Sequence, residues 1–356
     1  MGVFEQIRAV GGHEQVLFCN DPEVGLKAII AVHNTALGPA LGGLRMWHYA
    51  NEDEALTDVL RLSRGMTYKA AVAGLNLGGG KAVIIGDPRT QKTEALFRSF
   101  GRQVQSLSGR YITAEDVGTS TREMTWIHME TKHVTGLSPE EGGSGDPSPV
   151  TALGVFSGIL GCLDAKFGSA DLKGRSVAIQ GLGNVGFYLA RYLRDAGAKV
   201  FGCDINPDRE RMVHDQLGVE IIAGREFFEL EVDVLSPCAL GAILDDESIE
   251  AIKAPIVAGG ANNQLKDEIR HGKAVKEKGL IYAPDYVINA GGLINVYSEI
   301  HHLPREWAQN KARNIREVVG AVLDVAGKDN ITTTEASNRL AERRVAMATH
   351  LRRFHL

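Results

Sequence analysis

The chain has 356 residues, longer than one hydrophobic core usually extends, so two domains with a cleft between them are expected. Hydrophobic residues make up 44% and charged residues 23%, ordinary for a globular protein, and a formal charge of −5 excludes the basic footprint of a nucleic-acid binder. The 41 glycines are many, and α/β proteins gather glycine at strand-to-helix turns.

Residues 1–10 carry Glu5 and Arg8 where a secretory signal has a basic region and an apolar stretch, and Gln6 spoils a myristoylation match. No unbroken apolar run reaches the roughly 18 residues of a membrane-spanning helix. Cys19, Cys162, Cys203 and Cys238 form no C-x-x-C pair and the histidines form no H-E-x-x-H, so reduced thiols, a cytoplasmic location and no metal site are expected.

From residue 51 to 73, Leu56, Val59, Leu60 and Met66 recur at helical spacing after the candidate caps Asn51 and Asp53, which predicts an amphipathic helix ending near Lys69. Lys69 taken alone reads as a solubility residue. Gly78, Gly79 and Gly80 then predict a turn into a short buried strand, with Lys81 at its mouth. A lysine entering an apolar strand is desolvated unless it lines a cleft, and desolvation moves its pKa down toward the range a general base needs. A phosphate loop fits poorly, because Ala82 stands where that loop has Ser or Thr. The next strand, Tyr111-Ile112-Thr113, places Asp116 in the loop beyond it, a position that suits a turn residue or a cleft-facing carboxylate.

Between Ser138 and Pro149 the composition shifts to Gly, Ser, Pro and acid, which places a hinge there. Ser144 and Ser148 lack the G-x-S-x-G elbow of a serine hydrolase. A strict alternation follows: helix 150–166, strand 176–180, helix 184–196, strand 199–203, helix 209–217, strand 220–222, and strands at 232–235, 255–258 and 280–282. This predicts an α/β protein of two domains flanking a cleft, the second a doubly wound Rossmann-type parallel sheet. The domains are expected at 1–137 for substrate and oligomerisation and 138–330 for the dinucleotide, with a helical segment, 331–356, returning to the first. The basic residues Arg343, Arg344, Arg352 and Arg353 read as a solvated helix face.

The strongest motif is Gly181-Leu182-Gly183-Asn184-Val185-Gly186, directly after an apolar strand and opening a helix. The first glycine makes the turn, the second admits a pyrophosphate, and the third lets the helix pack closely. Asp204 ends the next strand, where a carboxylate binds a ribose hydroxyl. Ile205, Asn206 and Pro207 supply no immediate cation for a 2′-phosphate, so NAD is expected over NADP.

Several motifs in order resemble the glutamate, leucine, phenylalanine and valine dehydrogenase family over nearly the whole chain. They are Leu37-Gly38-Pro39-Ala40-Leu41-Gly42-Gly43, Gly65-Met66-Thr67-Tyr68-Lys69, Gly78-Gly79-Gly80-Lys81 and Thr113-Ala114-Glu115-Asp116-Val117-Gly118. In the second half come the glycine loop, Pro237-Cys238-Ala239-Leu240-Gly241, Asn262-Asn263-Gln264-Leu265 and Ala283-Pro284-Asp285-Tyr286-Val287-Ile288-Asn289-Ala290-Gly291-Gly292. The resemblance implies that Lys69 pairs with the substrate carboxylate, Lys81 activates water and Asp116 exchanges protons with the amino nitrogen. It also places Asn263 by the substrate and nicotinamide, Thr151 near the carboxamide, and Cys238 and Ala239 against the cofactor. Leu41, Gly42, Gly43, Ala114, Leu293 and Val296 are implied to line the substrate pocket.

The implied reaction is oxidative deamination of an apolar L-amino acid to its 2-oxo acid and ammonia, by a homo-oligomer that in this family is often an octamer. Ala114-Glu115-Asp116 and Leu75-Asn76-Leu77 look like the leucine-acting members, whereas Leu293, Asn262 and Tyr297 look like the aromatic-acting ones, and Leu44 and Asp146 depart from the leucine pattern. Branched-chain substrates are expected, an aromatic substrate is the alternative, and a non-catalytic NAD-binding sensor is a third reading.

Overall fold

The computed structural model describes residues 2–352, which divide into two compact units. The first comprises the residues up to Gly145, with Glu299–His302 and the residues from Ala341 onward, and the second comprises Asp146–Ser298 and Leu303–Leu340.

In the first unit the order is α1 (Val3–Ala9), β1 (Gln15–Asp21), β2 (Leu26–Asn34), β3 (Ala40–Trp47), α2 (Glu52–Val72), β4 (Gly78–Ile85), α3 (Glu94–Ser106), β5 (Tyr111–Glu115) and α4 (Thr121–His128). The strands form one mixed sheet in the order β1-β2-β4-β3-β5, with β2 antiparallel to β1 and β4, and β3 parallel to β4 and β5. Both faces are covered. Ala28, Ile30 and Val32 of β2 pack with Phe97, Phe100 and Ile127 of α3 and α4, while Ile29 and Ala31 pack with Leu56, Val59 and Leu60 of α2. A strand buried on both faces reads as an unbroken apolar run, so β2 lacks the alternation that marks a half-exposed strand.

The three glycines before Lys81 form no turn. They lie inside β4 with extended backbone, and each is there because a neighbour comes too close for a side chain. A Cβ on Gly78 would meet the Asn34 carbonyl at 2.0 Å, one on Gly79 the Thr67 nitrogen at 2.1 Å, and one on Gly80 the Tyr111 ring at 2.6 Å. Lys81 therefore sits in mid-strand, where β4 is buried from Gly78 to Ile84.

The second unit runs α5 (Ser148–Phe167), β6 (Ser176–Gln180), α6 (Asn184–Asp195), β7 (Lys199–Cys203), α7 (Pro207–Leu217), β8 (Glu220–Ile221), β9 (Val234–Pro237), α8 (Asp246–Ala251), β10 (Ile256–Val257), α9 (Glu268–Glu277) and β11 (Ile281–Tyr282). The helices α10 (Asp285–Ile288), α11 (Gly291–Ile300), α12 (Arg305–Arg313), α13 (Ile315–Asp329) and α14 (Thr333–Arg352) follow, and the division between units passes through α11 and α14. Every strand pair in its sheet is parallel, in the order β11-β10-β9-β6-β7-β8. Read from the opposite edge, this is the Rossmann strand order, with the reversal of direction between β6 and β9. Helix α5 is long and apolar enough to cross a bilayer by length and composition, but 61% of its apolar window is buried. Gly154, Gly158 and Gly161 bring it against Ile288, Ile315 and the Arg316 carbonyl.

The C-terminal arginines are not all a solvated face. Arg344 is half-buried, and its Nη1 donates to the carbonyls of Ala70, Ala71 and Leu75 at 3.3, 3.1 and 2.7 Å, while Nη2 donates to Asn76 Oδ1 at 3.0 Å. It adds a charged donor to carbonyls at and just past the C-terminus of α2, where a cation also suits the helix dipole. Arg353 and the side chain of Arg352 lie outside the described residues.

Candidate active site

In the first unit β4 carries Lys81, 5% exposed, and the loop after β5 carries Asp116. Lys81 Nζ lies 3.2 Å from Asp116 Oδ1, and Arg45 Nε on β3 donates to Asp116 Oδ2 at 2.9 Å. Arg45 Nη1 in turn donates to Asp58 Oδ2 on α2 at 2.9 Å, and the Tyr49 hydroxyl donates to the same oxygen at 2.7 Å. The backbone is set for this. Thr119 Oγ1 accepts from the Asp116 nitrogen at 2.9 Å and donates to the Leu44 carbonyl, which ties the loop to β3. Gly43 leaves the room the carboxylate uses, since a Cβ there would lie 2.8 Å from that of Asp116.

Burial pushes the Lys81 amine below the ordinary lysine value and Arg45 adds to the lowering; Asp116, drawing it upward, only partly offsets this. Burial would raise the Asp116 carboxyl, but the Lys81 and Arg45 cations outweigh it and hold the group below the usual carboxylate range. The arrangement is a buried amine with reduced basicity beside a carboxylate held ionised, the pairing that proton-transfer chemistry uses.

Lys69 is half-buried in the last turn of α2, a helix that opens at the Asn51 cap with an acidic first turn. The contact of Gly79 with Thr67 brings that end of α2 against the strand that carries Lys81. Leu41 is 2% exposed on β3, and Gly43 pairs with Ala114 on β5. Gly42 is dictated by packing, since a Cβ there would meet the Gly80 carbonyl at 1.7 Å.

In the second unit Gly181 follows β6 with φ of +94°, and Gly183 caps α6. A Cβ on Gly181 would lie 2.6 Å from that of Ala239, and one on Gly186 2.0 Å from the Gly181 carbonyl, so these two glycines are required for packing. At Gly183 only the Arg209 guanidinium comes within 4 Å, which leaves the helix N-terminus open on that side. This is the cradle a pyrophosphate needs. Asp204 Oδ2 accepts from the Leu182 nitrogen at 2.7 Å and Oδ1 from the Asn206 nitrogen at 2.8 Å. A carboxylate accepts about four hydrogen bonds, so capacity remains for a ribose hydroxyl.

Cys238 and Ala239 follow β9 beside this turn. The Cys238 nitrogen donates to the Gln180 carbonyl at 2.7 Å, and its thiol meets the Gly260 nitrogen at 3.5 Å. Gly260 also faces Val185. Asn263 stands in the left-handed region at φ +50°, a strained position that its carbonyl helps hold by accepting from the Ala242 nitrogen at 2.6 Å. Thr151 Oγ1 donates to the Pro147 carbonyl at 3.0 Å and lies beside Gly292, next to Leu293, which is 6% exposed, with Val296 one turn further along α11.

Sequence reasoning passed over Arg45, Asp58 and Tyr49. One signal was present: an arginine two residues beyond a Gly-Gly pair in an apolar strand needs a carboxylate partner to be buried.

The parallel sheet in its Rossmann order, with a glycine turn at the strand reversal, is the architecture of dinucleotide-linked oxidoreductases. Residues 13–133 match the Glu/Leu/Phe/Val dehydrogenase dimerisation domain, and residues 142–221 and 207–353 match the Glutamate/Leucine/Phenylalanine/Valine dehydrogenase domain. The chain is 54% identical to the leucine dehydrogenase of Geobacillus stearothermophilus over 94% of its length and 90% of that protein. The crystal structure of L-tryptophan dehydrogenase from Nostoc punctiforme is 45% identical with a TM-score of 0.90, covering 98% of this chain and all of that one. Hetero-hexameric glutamate dehydrogenase from Thermus thermophilus matches at 26% identity and a TM-score of 0.77, over 98% of this chain and 92% of that one. The chain belongs to the glutamate, leucine, phenylalanine and valine dehydrogenase family and is an amino-acid dehydrogenase.

Proposed function

We propose that the protein oxidatively deaminates an apolar L-amino acid, with leucine and other branched-chain substrates favoured, to the 2-oxo acid and ammonia. The observation that carries this reading is the buried Lys81 amine paired with Asp116 at 3.2 Å. NAD, when bound, supplies the hydride acceptor. Gly183 and Asn184 at the open N-terminus of α6 would hold its pyrophosphate, Asp204 its ribose, and Cys238, Ala239, Asn263 and Thr151 the nicotinamide end. NAD is favoured over NADP because Asp204 repels a 2′-phosphate.

Lys69 pairs with the substrate α-carboxylate. Lys81, in its neutral form, takes a proton from the water that attacks the α-carbon once the amine has been oxidised. Asp116 exchanges protons with the amino nitrogen. Leu41, Gly42, Gly43, Ala114, Leu293 and Val296 receive the side chain, and glutamate is rejected because its second carboxylate would lose water without gaining a partner. The test is NADH absorbance with leucine, valine, phenylalanine, tryptophan and glutamate side by side. Highest kcat/KM with leucine supports the reading; no NADH with any of them would turn it to a cofactor-binding sensor.

A second reading, an aromatic substrate, draws on the tryptophan dehydrogenase likeness and on Tyr297 of α11, which stacks on Trp307 at 5.3 Å. Better turnover of phenylalanine or tryptophan than of leucine would establish it. The protein is further proposed to be cytoplasmic and a homo-oligomer built through the dimerisation match at residues 13–133, with eight copies as the expected number. Sedimentation equilibrium counts them.

A further inference from the structure

We propose that Arg45, clamped by Asp58 and Tyr49, is the positioning residue that aims the Asp116 carboxylate at the amino nitrogen of the substrate. The inference rests on the proton-transfer roles proposed above for Lys81 and Asp116. Each Asp116 oxygen has its own partner: Oδ1 faces Lys81 Nζ at 3.2 Å and Oδ2 accepts from Arg45 Nε at 2.9 Å. A single cation would leave the carboxylate free to rotate about its bond to the chain. Two cations at opposite oxygens fix its plane.

Arg45 is itself fixed. Its planar guanidinium spends Nε on Asp116 and Nη1 on Asp58, and the Tyr49 hydroxyl holds the Asp58 oxygen that receives it. The fork geometry transmits the placement of α2 and β3 to the carboxylate, which a lysine's point charge cannot do. The set joins two cations with two anions, so the partly buried cluster is balanced, whereas Arg45 alone beside Lys81 would be like-charge repulsion.

The groups facing Lys81 come from three elements: Asp116 from the loop after β5, Arg45 from β3 and Asp58 from α2. Beyond burial, Arg45 lowers the amine's pKa, while Asp116 and Asp58 raise it. Because the amine must be neutral to act, removing Arg45's charge should move the acid-side limb of kcat/KM to higher pH. Removing Asp58's charge should move it to lower pH. A group that merely supports packing would move neither limb in a charge-dependent sense.

The experiment measures kcat, KM for leucine and for NAD, thermal midpoint and the pH profile for Arg45→Gln, Arg45→Lys, Asp58→Asn and Tyr49→Phe, with Lys81→Ala and Asp116→Asn beside them. Arg45→Gln is expected to lower kcat on the order of 100-fold, the scale of a misplaced catalytic group, with both KM values little changed and the limb moved up. Arg45→Lys should keep the limb in place while kcat stays low, because charge returns without the fork. Asp58→Asn should move the limb down, and Tyr49→Phe should cost kcat least. If Lys81→Ala and Asp116→Asn lose turnover while Arg45→Gln keeps it, the inference is overturned and the site reading stands. If Lys81→Ala and Asp116→Asn turn over normally, the site reading fails. Should Arg45→Gln not fold, Asp58→Asn and Tyr49→Phe decide: normal kcat with an unmoved limb in both overturns the proposal, as does a loss of kcat that only follows thermal stability.

Discussion

Each unit holds, among the glycines near its functional groups, one set of three close together in the chain, and the two sets do different work. Those of β4 are extended and closed in by Asn34, Thr67 and Tyr111, so they serve packing and bring α2 against the strand of Lys81. In the second unit Gly181 turns the chain with a positive φ and Gly186 admits the helix, while Gly183 meets nothing but the end of a flexible arginine. Of these six, Gly183 alone is not required by the close approach of a neighbour's backbone or ring, which leaves open space at that helix N-terminus. A run of glycine before a lysine therefore does not by itself mean a phosphate loop; what would touch each Cβ decides.

That contrast can be broken from either side. The largest effect is expected from Lys81→Ala, which should lower kcat by about 10²–10⁴-fold while NAD binding, followed by calorimetry, is retained. Normal turnover would detach β4 from the chemistry. Next, Gly79→Ala puts a methyl 2.1 Å from a backbone nitrogen and 2.2 Å from Thr67 Oγ1, an overpacking expected to cost about 1–3 kcal/mol in chemical denaturation. Gly183→Ala should change stability by no more than about 0.5 kcal/mol, because the Arg209 tip can move aside, yet raise KM for NAD. The comparison fails if Gly183→Ala destabilises the fold and leaves NAD binding intact. Away from both sets of glycines, Arg344→Ala is expected to cost about 1 kcal/mol for the carbonyls it contacts, read from the thermal midpoint.

The parallel sheet was legible in the sequence because its signals are local. Most strands of the second unit are short apolar runs closed by a turn and followed by a helix whose apolar stripe can be read from spacing, so β6, α6 and β7 fall within a residue of expectation. The glycine turn and Asp204 come from the same stretch, at a spacing the βαβ unit imposes. The first unit offered less. Strands β1, β2 and β3 went unread, since burial on two faces removes alternation from β2 and glycines interrupt β3, and the glycines of β4 read as a turn until their neighbours were known.

The residue types available for chemistry, Lys81 on an apolar strand and Asp116 just past another, were determined by sequence alone. Their pairing was decided only by tertiary structure, because β3 lies between β4 and β5 and brings Arg45 to a carboxylate 71 positions away in the chain. The same holds for Arg344, whose basic neighbours suggest solvent but whose partners lie at and just past the end of α2, more than 260 residues earlier. Spacing along a chain reports only the neighbours one helix turn or one strand step away; hydrogen bonds between distant segments depend on which elements the buried core has brought together.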